Sequence, residues 1–288
     1  MRNKKSTILI AVIFLAGLSL LLYPFIANQW NAYRQKRLIS NYDSTVEKMA
    51  AAGKINYGEE WAQANDYNAR LLPSILPDSF ADAKESSERD DEYMSALNLT
   101  GDGMMGYVRI PKINVNLPLF HTVDEEVLET AVGHLEGSSL PVGGEDTHSV
   151  LSAHRGLPSA TLFTDLDKLE EGDHFLLCIL DDMLCYQVDK ITVVEPDDTS
   201  GLAVEKGQDL VTLLTCTPYG VNSHRLLVRG HRVPYTPEIE DESVPLGNTS
   251  LHTSYLLWVI IGLLVTGAFC LFSYKREKKL AKKAEEQA

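Results

Sequence analysis

Two uncharged apolar stretches constrain this chain before anything else does, because neither can serve as the core of an ordinary soluble domain. Thr7 to Ile26 (TILIAVIFLAGLSLLLYPFI) is 20 residues long, and Ser254 to Tyr274 (SYLLWVIIGLLVTGAFCLFSY) is 21. A helix rises about 1.5 Å per residue, so each can cross a bilayer core of about 30 Å. Tyr23, Tyr255, Trp258 and Tyr274 fall where aromatic rings favour the membrane interface. For the first stretch a cleaved signal peptide is the competing reading. Its apolar run is longer than a usual signal core and Ala27-Asn28-Gln29 is a poor cleavage site, which favours a retained anchor. Arg2, Lys4 and Lys5 precede the first stretch; Lys275, Arg276, Lys278, Lys279, Lys282 and Lys283 follow the second. Basic flanks stay in the cytoplasm, so a two-pass topology is expected, with both termini cytoplasmic and everything between the spans outside the cell membrane.

That middle region is strongly acidic, with 14 Lys/Arg against 37 Asp/Glu over residues 38–274. Nucleic acid is excluded as a partner, since its phosphates would be repelled. Four cysteines do not make a disulfide framework. Cys270 lies in the second apolar stretch, and Cys178 and Cys185 sit in FLLCILDDMLCYQV, a hairpin pattern about Asp181-Asp182. That turn would set the two thiols opposite each other at a hydrogen-bonded position, where side chains stand further apart, so a reduced pair is expected.

Residues 28–72 read as a juxtamembrane helical segment, with a capping box from Ser44 to Glu47. Pro73, Pro77 and the charged run KESSERDDE give residues 72–100 loop character. From Gly101 the pattern changes to short β-runs: 107–110, 114–119, 149–153, 175–180, 183–188, 191–194, 210–215 and 224–230. Eight such runs imply an antiparallel barrel or sandwich, interrupted by short helices over 124–132 and 160–169.

The chemistry concentrates in LVTLLTCTPYGVNSHRLLVRG (210–230). Cys216 sits at the mouth of a strand, a turn follows, and the next strand carries Arg225. Alternation puts Leu226 and Val228 on one face and Arg225, Leu227 and Arg229 on the other. A thiolate at a strand end beside a guanidinium suits acyl transfer: the thiolate attacks a carbonyl and the cation holds the developing charge. An ordinary cysteine, with pKa near 8.5, needs a proton-moving partner. His154, ending the run LSAHRG (151–156), could protonate a leaving amine and deprotonate an incoming one. From spacing alone a structural cysteine and histidine stay open as alternatives. His224 should point away from Arg225, and Arg229 reads as a surface or rim residue. His121, His134, His148, His174, His231 and His252 lack ligand-like spacing. Asp90-Asp91-Glu92 and Asp181-Asp182 read as solvated loops, so no metal site is expected.

The run TLLTC with an arginine nine residues after its cysteine resembles the sortase active-site pattern. VRIPKINVNLPLF, GHLEGSSLPVGG and HSVLSAHRGLPSATLFTDLDKLEEGD resemble sortases as well, so the similarity covers about residues 101–235. It implies an eight-stranded β-barrel that cleaves a Leu-Pro-x-Thr-Gly-like sorting signal after Thr. By this resemblance Cys216 is the nucleophile, His154 the general acid/base and Arg225 the substrate-holding cation. The long segment before the barrel and the C-terminal span look like class C, the pilus-assembling sortases of Gram-positive cells, in which a pilin lysine resolves the acyl-enzyme into an isopeptide bond. That class often carries an Asp-Pro-aromatic lid over the cysteine. Asp78-Ser79-Phe80 is the candidate here, with serine in place of proline; the competing reading is a loop in which Ser79 caps a helix starting near Phe80.

The expectation is thus a mainly β protein: an eight-stranded sortase-type barrel with short helices, an N-terminal helical and lid segment, and two transmembrane helices. Residues 1–33 form the tail and first anchor, 34–100 the juxtamembrane segment and lid, and 101–235 the catalytic barrel. A polar linker (236–253), the second span (254–274) and a basic tail (275–288) follow. No cofactor is expected. Expected partners are the membrane, surface or pilin proteins bearing a C-terminal sorting signal, and an amine acceptor from a pilin lysine or a wall peptide. Housekeeping-type anchoring of proteins to the cell wall and a hydrolytic cysteine peptidase remain as alternatives, because water and amine resolve the same acyl-enzyme. A non-catalytic membrane scaffold would not need Cys216, His154 and Arg225 together.

Overall fold

The computed structural model describes residues 4–71, 78–80, 90–242, 261–262 and 267. It divides into two units, Met1–Val244 and Pro245–Ala288. In the second unit Ile261, Gly262 and Gly267 are helical; the rest of the second apolar stretch, Cys270 and the basic tail lie outside the described residues.

Helix α1 (Lys4–Ala51) runs without a break from the first apolar stretch into the juxtamembrane segment. Among the described residues it is the one helix long and apolar enough to cross a membrane, so the second span is not established by the fold. Past Ile26 one stripe takes over: Asn28, Asn31, Gln35, Ile39, Tyr42 and Val46 recur at steps of three and four, the spacing of a single helical face. Gln35, Ile39, Tyr42 and Val46 are buried. This stripe explains why the Ser44–Glu47 pattern starts no new helix: the face is already committed to packing, and the turn comes only at Gly53. Helices α2 (Tyr57–Arg70) and α3 (Asp91–Ser95) follow, the latter capped by the Asp90 side chain accepting from Glu92 N at 2.9 Å.

Eight strands close into a barrel: β1 (Met104–Ile110), β2 (Val115–His121), β3 (Val132–His134), β4 (Thr147–Ser152), β5 (His174–Ile179), β6 (Asp182–Val194), β7 (Asp209–Thr217) and β8 (His224–Val233). Their order around the barrel is β1-β2-β3-β4-β7-β8-β6-β5. The β2–β3 and β4–β7 pairs are parallel, so the barrel is mixed and not antiparallel throughout. Alternation organises each wall. On β7 and β8, Val211, Leu213, Leu226 and Val228 join the main core, while Leu214 and Leu227 face the other way into a smaller cluster with Leu135, Val150 and Leu202.

Several local expectations are corrected. The runs 183–188 and 191–194 are one strand, β6, with an irregularity between Val188 and Lys190. The stretch 124–132 holds only the one-turn helix α4 (Glu125–Leu128), and its end becomes β3. Residues 160–169 form no α-helix: Leu162 has φ 43°, Phe163 N bonds back to His154 O at 3.2 Å, and only Leu166–Lys168 makes a 3-10 turn. Ile179 pairs with Asp182, so the hairpin turn is Leu180-Asp181, one residue earlier than expected. Cys178 then faces Met183 and Cys185 faces Leu176, which makes the two cysteines diagonal instead of opposite; both are thiols. The linker begins as a 3-10 turn, Pro237–Glu242, and packs Ile239 against Leu176 and Cys185.

Candidate active site

Cys216 and Arg225 are direct cross-strand partners at the open end of the β7–β8 pair. Directly opposite residues share a face, so both project from the side that carries Leu214 and Leu227, away from the main core. Two residues after Cys216 the Thr217-Pro218 peptide is cis, and the chain turns with Val221 N and Asn222 N both bonding to Pro218 O.

His154 follows the neighbouring parallel strand β4, two residues past its end at Ser152. The β4–β7 register pairs Ser152 with Leu214, and the ladder continues through Ala153 N to Leu214 O (3.2 Å) and Thr215 Oγ1 to Ala153 O (2.7 Å). One further step sets His154 level with Cys216. Arg155 braces the loop that follows. Its Nε donates to Thr164 O (3.1 Å), Nη1 to Thr217 Oγ1 (3.1 Å), and Nη2 pairs with Asp167. A buried guanidinium thereby ties the loop after His154 to the residue after Cys216. Nothing in the spacing of LSAHRG singles out Arg155, because its partners Thr164, Asp167 and Thr217 come together only in the folded chain.

Asp78, Ser79 and Phe80 lie across this pair. Asp78 forks onto Arg225, with Nε to Oδ1 at 2.8 Å and Nη2 to Oδ2 at 2.6 Å. Both side chains are largely buried, at 9% and 14% exposure. The Phe80 ring lies 5.2 Å from the His154 ring and 5.3 Å from Arg225 Cζ, bridging the two. Buried Ser79 accepts a hydrogen bond from Ser152 Oγ at 2.8 Å. The Ser79 hydroxyl is thus used against β4, and Phe80, like Val123 and Val194, packs against the Leu214–Leu227 cluster; the alternative helix starting near Phe80 would occupy residues 81–89, which lie outside the described residues.

The electrostatics follow from this cover. Burial pushes the Cys216 thiol up; Arg225 pulls it down, and the Asp78 carboxylate pushes it up again. Burial also lowers His154, opposed by Glu125 and Glu129 on and beside α4. The covered site thus favours neutral thiol and neutral imidazole, with the guanidinium charge satisfied by Asp78.

The remaining candidates separate from this cleft. His224 pairs with Glu195 at 3.3 Å and Ser223 Oγ at 2.8 Å. Arg229 forks onto Asp189. His134 is fully buried, lowered to about 4, and lies 2.9 Å from Tyr93 OH through Nδ1 and 2.8 Å from Ser139 O through Nε2. His148 lies between Ala203 O and Thr212 Oγ1. Among the described residues no group of His, Cys, Asp and Glu is arranged to hold a metal ion.

Comparison with known proteins bears on this arrangement. The sortase domain model matches residues 108–233. A sortase D of Bacillus subtilis (strain 168) is 32% identical over 165 residues, covering 56% of this chain and 80% of that protein. Sortase C1 of Streptococcus agalactiae superposes with a TM-score of 0.61 at 49% identity, covering 69% of this chain and all of that one. A Streptococcus pneumoniae sortase C, described in terms of catalysis and pilin substrate specificity, gives 0.60 at 44% identity over 69% and 98% of the two chains. The mixed eight-stranded barrel with a cysteine and an arginine paired across β7 and β8 therefore belongs to the sortase family of transpeptidases.

Proposed function

We propose that this chain is a pilin-joining transpeptidase of the class C kind. Cys216 passes its thiol proton to His154 and attacks the carbonyl of a Leu-Pro-x-Thr-Gly-like sorting signal. The C–N bond to Gly breaks as the His154 imidazolium gives that proton to the leaving amine, and a thioester to Thr remains. An incoming lysine amine, relieved of its proton by His154, attacks that thioester and expels the thiolate. Arg225 holds the carbonyl oxygens through both transitions; a planar fork can serve two oxygens at once.

The observation that carries this reading is the direct Cys216–Arg225 cross-strand pair, with His154 just past the end of the parallel strand that lies beside Cys216. Asp78 and Phe80 support a class C reading in particular, as a lid that occupies the cation and covers the imidazole in the resting enzyme. An anchored enzyme acting outside the cell fits α1 as an N-terminal membrane helix.

The test incubates the membrane-embedded chain with a sorting-signal peptide, with and without an amine acceptor. Mass spectrometry should find the Thr acyl group on Cys216 and, with amine, a new amide. An acyl group on another residue would overturn the site. Release to water alone, unchanged by amine, would favour a peptidase.

A further inference from the structure

The stripe on α1 fixes where the cleft stands relative to a bilayer. Asn28 Oδ1 accepts from Thr161 N and Thr161 Oγ1, both at 3.0 Å, and Asn31 Nδ2 donates to Ser159 O at 2.9 Å. Further along, Gln35 Nε2 donates to Thr130 O (2.8 Å), and Tyr42 OH donates to Met105 O (2.9 Å) and accepts from Leu180 N (3.0 Å). These contacts clamp the helix along one flank of the barrel. Asn28 follows the last apolar residue, Ile26, by about 3 Å of helix axis, and Tyr42 by about 24 Å. The headgroup layer outside the hydrocarbon core is about 5–8 Å thick. With the helix along the bilayer normal, a loop bonded to Asn28 and Asn31, about 3 and 8 Å past Ile26, stands at the height of that layer, and the Leu180 turn stands well above it.

Loop 156–161 continues directly from His154. The β7–β8 turn lies beside it, because a Cβ on Gly156 would meet the Tyr219 ring at 3.1 Å. That turn exposes Tyr219 (51%) and Val221 (69%). On the helix, exposed Trp30 and Tyr33 sit side by side at 6.2 Å, off the clamped stripe. Exposed Arg34, Lys36 and Arg37 follow. Aromatic rings at the interface and basic residues just outside it are the pattern that lipid headgroups accept. Glu125, Glu126 and Glu129 are exposed near Thr130, at the level of Gln35, about 13 Å above Ile26 and so clear of the headgroups.

We propose that the barrel rests on the membrane with loops 156–161 and 217–222 in the headgroup layer, so that the mouth of the Cys216 cleft opens at the lipid surface. The partner is the phospholipid headgroup surface itself. The placement rests on α1 being a membrane anchor. It implies that a substrate reaches the cleft by moving along the bilayer, with its reactive segment at headgroup height.

The full chain carrying Cys216→Ala, in nanodiscs of mixed zwitterionic and anionic phospholipid, tests this. A fluorescent amino acid replaces Leu15, Pro158, Val221 or Asp181 in turn, and nitroxide lipids serve as quenchers. Leu15 should be quenched by acyl-chain nitroxide. Positions 158 and 221 should be quenched by headgroup nitroxide at least threefold more than 181. Equal quenching at 158, 221 and 181, with Leu15 still quenched, overturns the placement. Loss of quenching at Leu15 overturns the anchor and the placement with it, but leaves the transpeptidase reading standing. With Asn28→Ala and Asn31→Ala together, quenching at 158 should fall while Leu15 is unchanged; undiminished quenching overturns the clamp.

Discussion

Two arginines on one face of β8 form the same kind of bond to very different partners. Arg229 forks onto Asp189 at 3.0 and 3.0 Å, and Asp189 belongs to the neighbouring strand β6, at its irregularity between Val188 and Lys190. Arg225, four residues earlier, forks onto Asp78 at 2.8 and 2.6 Å, and Asp78 is no part of the barrel. The first partner cannot leave without tearing the sheet. In the lid reading proposed above, the second would leave with residues 78–80 and free a cation beside the thiol. On that proposal equal geometry serves as a fixed brace in one place and a removable stopper in the other. What differs is the chain connectivity behind each carboxylate.

The largest effect expected lies at the thiol that only the second pair adjoins. Cys216→Ala should abolish both cleavage and joining while circular dichroism and melting stay those of the parent, since a buried thiol to methyl change leaves only a small gap. Undiminished acyl-enzyme formation would falsify the assignment. Next, Arg225→Lys should lower turnover by on the order of a hundredfold, because a point charge cannot replace a planar fork. Arg229→Lys should change turnover by less than about twofold, since its fork braces strands and touches no reacting group. Similar losses for both arginines would erase the distinction between brace and stopper.

Third in size is the cover itself. Asp78→Ala with Phe80→Ala should speed reaction of Cys216 with a small thiol reagent by about tenfold or more, the loss of a charge-assisted bond being worth about 1.5–3 kcal/mol. Asp189→Ala should leave the rate unchanged. The pH profile adds a sign. The covered thiol is raised by burial and by Asp78, so closure favours the protonated form: it is fully present below the open-state thiol pKa and weakens as pH rises toward the covered one. The rate in the parent should therefore climb at higher pH than in the double variant. Coincident profiles would mean that the cover does not tune the thiol.

The sequence makes the barrel wall and the Cys216–Arg225 pair readable because both are local: alternation sets faces, and one hairpin brings residues 216 and 225 opposite. It hides what depends on distant pairing. β3 has three residues and follows a helical pattern, so periodicity cannot separate it. The irregularity in β6 made one strand look like two. The spacing of Leu162, Phe163, Leu166 and Leu169 imitates a helix, yet left-handed Leu162 breaks it and the apolar side chains are buried from an irregular loop. Parallel pairings leave no mark in either strand. Asp78 as a lid residue came from family resemblance. Arg155 and the Ser79–Ser152 bond came from neither, since each joins side chains whose proximity only the closed barrel creates.

The smallest effect is the most discriminating, because two terms oppose each other at Ser79. Proline there would restrict the open chain and favour closure by about 0.4–1 kcal/mol wherever its fixed φ fits the closed turn. From sequence alone, then, Ser79→Pro should slow thiol labelling. The structure adds a hydroxyl that accepts from Ser152 at 2.8 Å in a buried site, and proline deletes that bond at a cost of about 0.5–1.5 kcal/mol. The terms nearly cancel, so Ser79→Pro should label within about twofold of the parent. Ser79→Ala loses the bond and gains no rigidity, and should label about two- to twelvefold faster. The ratio of the alanine to the proline rate isolates the backbone term, expected at about two- to fivefold. An alanine variant that labels at the parent rate would mean the Ser79–Ser152 bond contributes nothing to closure, leaving Asp78 and Phe80 to hold the cover alone. A proline variant faster than alanine would mean that the closed turn rejects proline's φ, and that serine stands here for a backbone geometry proline cannot adopt.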